Sequence, residues 1–476
     1  KDLDLPSVGG NGSSIIWSSD RKDLITDAGE VSPAQQDAEV ILTATADLNG
    51  ATAEKTFTVK VVGTDSILEE AMNSLTFAYT EIYGNITLPT ELANGAAVQW
   101  SVNEAGKDLI TVEDQTSEGG RTIPAGVVTR PAKDTEIQLT ADVSVGDSAD
   151  SKSFTFTVKA KPEEKGETAA YLFAHFTGSE GRGTDEQIYF ATSENGSQWT
   201  DLRENGNPVL SSDLGDKGVR DPYLVRSPEG DKTYLIATDL SIYHRGGWGN
   251  AAATTTGSTS LVVWESSDLV NWSEPRLVDV ASRIPGAGCA WAPEAFYDEE
   301  TGQYVVYWAT ASGESNELGD PMNMYYATTR DFYTFSEPVL WIDREHSIID
   351  TTMIQANGKY YRASGDGQIT IEESDSIYDG WKIIGTLKDI FNNNNYSGAK
   401  LEGPEFFKYN DRDFLTDKDG NKVDTWGLMC DQYAEGRGYL PFRTTNMADM
   451  STDSWSPASD VNFGSLKKRH GTILPI

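Results

Sequence analysis

The chain has 476 residues, 38% apolar and 24% charged, enough apolar material for two or three folded domains, which excludes a mostly disordered chain. Acids outnumber bases by 74 to 38, a net charge of −36, and such a surface repels nucleic-acid phosphates and anionic lipid. No run of 18 apolar residues occurs, so no membrane-spanning helix is expected.

The 12 Trp, 20 Tyr and 16 Phe, set among 44 Gly and many Asn and Asp turns, suit an all-β protein. Cys289 and Cys430 are the only cysteines, and they are expected to be small buried hydrophobes rather than a bridge. No CxxC or HExxH spacing occurs, which argues against structural zinc. The chain opens on Lys1 inside a repeat. A trimmed or mature part of a longer bacterial protein is therefore expected, secreted or held at the cell surface.

Residues 1–62 and 63–162 read as two copies of one small module. Copy one carries Leu5-Pro6, Ile16-Trp17-Ser18, Ala28-Gly29-Glu30-Val31, Leu42-Thr43-Ala44-Thr45 and Phe57-Thr58-Val59-Lys60. Copy two answers with Leu88-Pro89, Gln99-Trp100-Ser101, Ala125-Gly126-Val127-Val128, Leu139-Thr140-Ala141 and Phe156-Thr157-Val158-Lys159. Alternating strands around one Trp predict small β-sandwiches, and the pattern resembles bacterial immunoglobulin-like modules. Helical spacing of Ile67, Leu68, Ala71 and Leu75 predicts a short helix ahead of copy two, with Asp65 as its N-cap. Residues 163–168 form a charged, Pro-flanked linker.

From 169 to 476 one phrase recurs: a strand, a polar turn, and an aromatic opening the next strand. It runs from Ala191 to Trp199, Trp264 to Trp272, Tyr326 to Phe335, Ile371 to Trp381 and Phe442 to Trp455. Repetition of short strands at this period predicts a five-bladed β-propeller. The last strand, His470 to Leu474, is expected to join Tyr171–Phe176 and so close the ring. The aromatics of the phrase then serve as scaffold.

In that arrangement Asp221, Glu294, Asp350, Glu402 and His470 head the inner strands. Four carboxylates crowded at one axis repel one another unless protonated or paired, and such crowding is typical of catalytic clefts. The top loops supply the pocket wall, for which Trp291, Asp239 and Trp248 are candidates along with Glu294. Asp417-Lys418-Asp419-Gly420-Asn421 reads as a polar hairpin turn, and Lys467-Lys468-Arg469 as a solvated patch.

Arg220-Asp221-Pro222, Trp291-Ala292-Pro293-Glu294, Ile349-Asp350-Thr351, Glu402-Gly403-Pro404 and Arg469-His470-Gly471 together resemble glycoside hydrolase family 43. The resemblance implies a five-bladed propeller that cleaves arabinosides or xylosides with inversion. It implies Asp221 as general base, Asp350 as the modulator of acidity and Glu402 as general acid. His470 is then either axial packing or a neighbour of a central ion, often calcium. Glu294 stands where the family more often has Asp, and Thr351 where it often has Pro. The function implied is an exo-acting α-L-arabinofuranosidase on plant oligo- or polysaccharide, acting as a monomer. β-Xylosidase, galactofuranosidase and a non-catalytic glycan-binding propeller are the alternatives.

Overall fold

The computed structural model describes every residue except 164–166, 204–205, 251, 313–320 and 418. Half of the 163–168 linker and Lys418 of the 417–421 turn thus lie outside the described residues. The chain divides into two compact units, Lys1–Lys161 and Pro162–Ile476. No helix among the described residues is long and apolar enough to cross a membrane.

The first unit holds two β modules. Ser14–Ser19, Ala38–Leu48 and Ala51–Val61 form one antiparallel sheet. In the second module Ala97–Val102, Thr135–Val145 and Ser148–Val158 pair antiparallel, and the short strand Glu81–Ile82 adds in parallel. The repeat is legible at atomic level: Trp17 Nε1 donates to the Pro6 carbonyl, and Trp100 Nε1 to that of Pro89, both at 2.9 Å. Trp100 is buried against Phe77 and Phe154, whereas the core around Trp17 is much smaller. The helix spans Thr64–Ser74 and buries Leu68 and Ala71. Its N-cap is Gly63, not Asp65; Asp65 lies in the first turn, where its carboxylate accepts from Ser148 Oγ at 2.6 Å.

Among the described residues, the second unit folds into five four-stranded sheets. Four are built from consecutive strands, beginning at Val219–Arg226, Trp291–Asp298, Ile349–Ala356 and Glu402–Lys408. The fifth joins Arg469–Pro475 to Tyr171–Phe176, so the two ends of the unit close one sheet. Their inner strands pack in a cycle: Val219–Arg226 on Trp291–Asp298, on Ile349–Ala356, on Glu402–Lys408, on Arg469–Pro475 and back to Val219–Arg226. Five apolar clusters follow the same order, each shared by two neighbouring sheets. Trp264, Trp308, Trp426 and Trp455 are fully buried in them, and a large side chain so buried contributes about 1.5–3 kcal/mol or more. Cys289 and Cys430 are free and buried in this core.

The repeated phrase has a local cause. Asn195, Asp268 and Asp331 each accept two backbone N–H groups through one side-chain oxygen, closing the polar turn. These hydrogen bonds hold the Asp268 carboxylate below the usual range.

Candidate active site

Each of the four consecutive inner strands carries the same defect near its start. Pairing with the second strand slips between Arg220 and Tyr223, Trp291 and Glu294, Ile349 and Thr352, and Glu402 and Glu405. Within each bulge one residue is left-handed: Asp221 (φ 51°), Ala292 (47°), Asp350 (55°) and Gly403 (51°). Bulges of this kind re-aim side chains, and Asp tolerates the strained φ better than most residues. Gly403 is required twice over, because a Cβ there would also come within 2.8 Å of the His470 ring.

Asp221 and Asp350 at the left-handed position, and Glu402 one residue before it in its strand, line one cavity of about 340 Å³. Phe176, Glu180, Arg220, Trp248, Trp291 and Tyr433 form much of its wall, with Lys467, Arg469 and His470. Asp221 Oδ2 accepts from Thr238 Oγ1 at 2.8 Å, and Thr238 in turn accepts the Ala292 N–H at 2.7 Å. His470 Nδ1 stands between two carboxylates, 3.5 Å from Asp221 Oδ1 and 4.0 Å from Asp350 Oδ1. Asp350 Oδ2 accepts the Gly403 N–H at 3.0 Å, which ties it to the residue beside Glu402. Glu402 Oε1 accepts from Arg469 Nη2 at 2.9 Å, while Arg469 Nε is held by the buried Asp431.

Burial pushes the Asp350 carboxyl up to about 7, helped by the charge of Asp221. Burial likewise pushes Glu402 up to about 8, reinforced by Asp350 and then Asp431; Arg469 and His470 oppose the shift without cancelling it. Glu402 keeps 29% of its side-chain surface open, so it can still meet a bound molecule. The arrangement therefore stocks a protonated carboxyl in a cleft at neutral pH.

Trp248 and Trp291 meet edge to face at 6.2 Å on the wall. Trp248 is held by Glu180 through its indole N–H and lies over the Arg220 guanidinium. Glu294 and Asp239 do not reach the wall. Glu294 lies two residues past the left-handed position, in the register of Glu405 rather than Asp221. It is buried, accepts from Tyr307 Oη at 3.0 Å and interacts with Glu405. Its equivalence to Asp221 fails because the left-handed position of its own strand is Ala292, two residues earlier. Asp239 is buried too, accepting the Asp216 N–H at 2.9 Å and so fixing the loop before the first inner strand.

The reading of residues 467–469 as a solvated patch is also overturned. Lys468 is fully buried and paired with Asp201, Arg469 is buried with Asp431, and Lys467 lines the cavity. Arg220 and Glu180 also line the cavity, although neither is a site candidate from the sequence. Arg220 was adjacent to a motif acid, but Glu180 lies in a featureless Gly-rich loop. Among the described residues no group of three His, Cys, Asp or Glu side chains is arranged to hold a metal ion. His470 Nδ1 faces the carboxylates of Asp221 and Asp350, whose oxygens calcium favours over an imidazole. Calcium takes about six to eight oxygen ligands, so an ion beside His470 would depend on water for most of its shell.

Residues 1–64 and 69–161 match the atrophied bacterial Ig domain family. The chain is 29% identical to an α-L-arabinofuranosidase of Bifidobacterium longum subsp. longum, over 93% of this chain and 44% of the relative; it thus spans less than half of that protein. Solved structures that resemble it include the catalytic domain of a family 62 α-L-arabinofuranosidase of Coprinopsis cinerea (14% identity, 56% of this chain and 75% of that one, TM-score 0.35). Another is an endo-1,4-β-xylanase of Bacteroides thetaiotaomicron (13%, 64% and 93%, TM-score 0.38). The family described as a probable glycosyl hydrolase domain, related to glycosyl hydrolase family 43, matches residues 166–476, and the chain belongs to it.

Proposed function

We propose that the second unit is a five-bladed propeller acting as an inverting, exo-acting α-L-arabinofuranosidase on side chains of plant polysaccharide. The cyclic packing of five sheets supports the propeller. The observation that carries the activity is the convergence of Asp221, Asp350 and Glu402 on one cavity, with Glu402 held protonated near neutrality. The B. longum relative's name supports the sugar. The Ig-like modules suit an enzyme exported by a bacterium, where they would act as spacers or anchors.

In this reading Asp221 takes a proton from the water that attacks the anomeric carbon. Thr238 and His470 fix the carboxylate for that task. Glu402 gives its proton to the departing glycosidic oxygen as the C–O bond breaks, leaving an alcohol and a free sugar of opposite configuration. Inversion needs room for the water, a separation of roughly 6.5–9.5 Å between the two carboxyls. Asp350 has no direct part in either proton transfer; in its ionised form it raises the Glu402 carboxyl, and its bond to Gly403 holds the residue next to Glu402.

The test is proton NMR of the purified chain with aryl α-L-arabinofuranoside, β-D-xyloside and β-D-galactofuranoside. The β-anomer of arabinose as the first product is expected. First release of the α-anomer would refute inversion, preference for another glycoside would reassign the sugar, and inertness toward all three, together with plant arabinan and arabinoxylan, would favour a binding role.

A further inference from the structure

Three cations line the cavity: Arg220, Arg469 and Lys467. Two are committed. Arg220 pairs with Glu180 at 3.2 Å and Glu186 at 3.4 Å. Arg469 pairs with Asp431 and Glu402. Lys467 differs: among the described residues its Nζ has no carboxylate within ion-pair distance, and its one hydrogen bond is a long 3.5 Å contact to the Gly178 carbonyl.

The acids that act on Lys467 at longer range are Asp431, Glu180 and Asp185, and each is already paired with an arginine: Asp431 with Arg469, Glu180 with Arg220, Asp185 with Arg182. Burial and the neighbouring Arg469 push the Lys467 ammonium below its usual range, so an incoming anion would relieve an unfavourable charge. In a chain with 74 acids and 38 bases, a cavity-lining lysine left without a carboxylate is against the trend. Neutral sugar hydroxyls do not call for a full positive charge; a carboxylate does.

We propose that Lys467 is an anion-recognition residue in the catalytic cavity, and that the saccharide it receives carries a carboxylate, as a uronic acid does, close to the bond to be cleaved. The idea deepens the glycosidase reading and rests on it for the word substrate, but the binding claim is testable without turnover. Glucuronate and glucose differ at one position, carboxylate against hydroxymethyl, and serve as the probes.

Calorimetric titration of the full chain should give at least tenfold tighter binding of glucuronate than of glucose. Lys467→Met should abolish the preference and Lys467→Arg should keep it, with the thermal midpoint of each variant showing that it is folded. Both sugars should compete with the arabinofuranoside in the hydrolysis assay, which places them in the same cavity. Equal binding of the two sugars, a preference that survives in Lys467→Met, or glucuronate binding without competition would overturn the proposal. Absence of hydrolysis alongside a Lys467-dependent glucuronate preference would instead overturn the glycosidase reading and leave the anion site standing.

Discussion

Arg469 Nη2 donates to Glu402 Oε1 at 2.9 Å, although Glu402 is the carboxyl that carries a proton near neutrality. The contact by itself favours the carboxylate. Burial and the charge of Asp350 outweigh it, partly because Arg469 is shared with Asp431. The acidity of Glu402 is thus a balance in which Asp350 is the second-largest raising influence.

That balance predicts a pH effect. Asp350→Asn keeps the side-chain shape and the tolerance for a left-handed backbone but removes the charge. Glu402 should then lose its proton at lower pH. The alkaline limb of kcat, which reports deprotonation of the acid, should move toward acid by about one to two units, the scale of one nearby charge at intermediate dielectric. A pH–rate profile in which the limb stays in place would remove Asp350 from that role.

Asp221 and Glu402 should separate by leaving group. Glu402→Gln cannot donate a proton, so hydrolysis of an unactivated oligosaccharide should fall by about two to four orders of magnitude. A 2,4-dinitrophenyl glycoside needs no such proton and should lose far less. Asp221→Asn impairs water activation whatever departs, so both substrates should suffer alike. Equal losses on both substrates in Glu402→Gln would contradict the assignment.

The sequence motifs located the three cavity acids because Arg220-Asp221-Pro222, Ile349-Asp350-Thr351 and Glu402-Gly403-Pro404 each mark a strand start. They could not show the bulge. The position of the bulge decides whether a side chain meets the cavity or the interior, and the motif alone groups Glu294 with Asp221 although it lies in register with Glu405. The same limit applies to residues 467–469: three consecutive cations read as solvent-facing, yet Asp201 and Asp431, some 267 and 38 residues away in sequence, neutralise two of them inside the fold. Pairings across such separations leave no local signal. The polar turns were legible because Asn195, Asp268 and Asp331 act on their own neighbours.

Glu294 and Glu405 form a second carboxyl pair, fully interior and outside the cavity wall. Burial raises both, and the charge of Glu294 raises Glu405 further. A carboxyl raised on folding binds protons more tightly folded than unfolded. Its stabilisation is therefore complete below the unfolded value, near 4.5, and is lost as pH climbs through the folded one. Glu405→Gln supplies a permanent neutral partner. Its thermal midpoint should match that of the parent near pH 5 and exceed it at pH 8, on the order of 2–4 °C for each kcal/mol gained. A difference independent of pH would show that the pair does not share a proton.

Lys468 and Asp201 offer the sharpest stability test. Both side chains are buried, and Asp201 also accepts the N–H groups of Ser465 and Leu466 and the Ser465 hydroxyl. This anchors the segment that leads to Arg469 and His470. Burial pushes the Lys468 ammonium down, and the pairing with Asp201 resists that shift. Lys468→Met leaves Asp201 charged and without its cation in the interior, a loss of about 3–5 kcal/mol. Adding Asp201→Asn removes the stranded charge while keeping acceptors for the backbone, so the double variant should recover a large part of that loss. Chemical denaturation followed by Trp fluorescence measures both. A double variant no more stable than Lys468→Met would mean that the lysine stem, not its charge, fills this site.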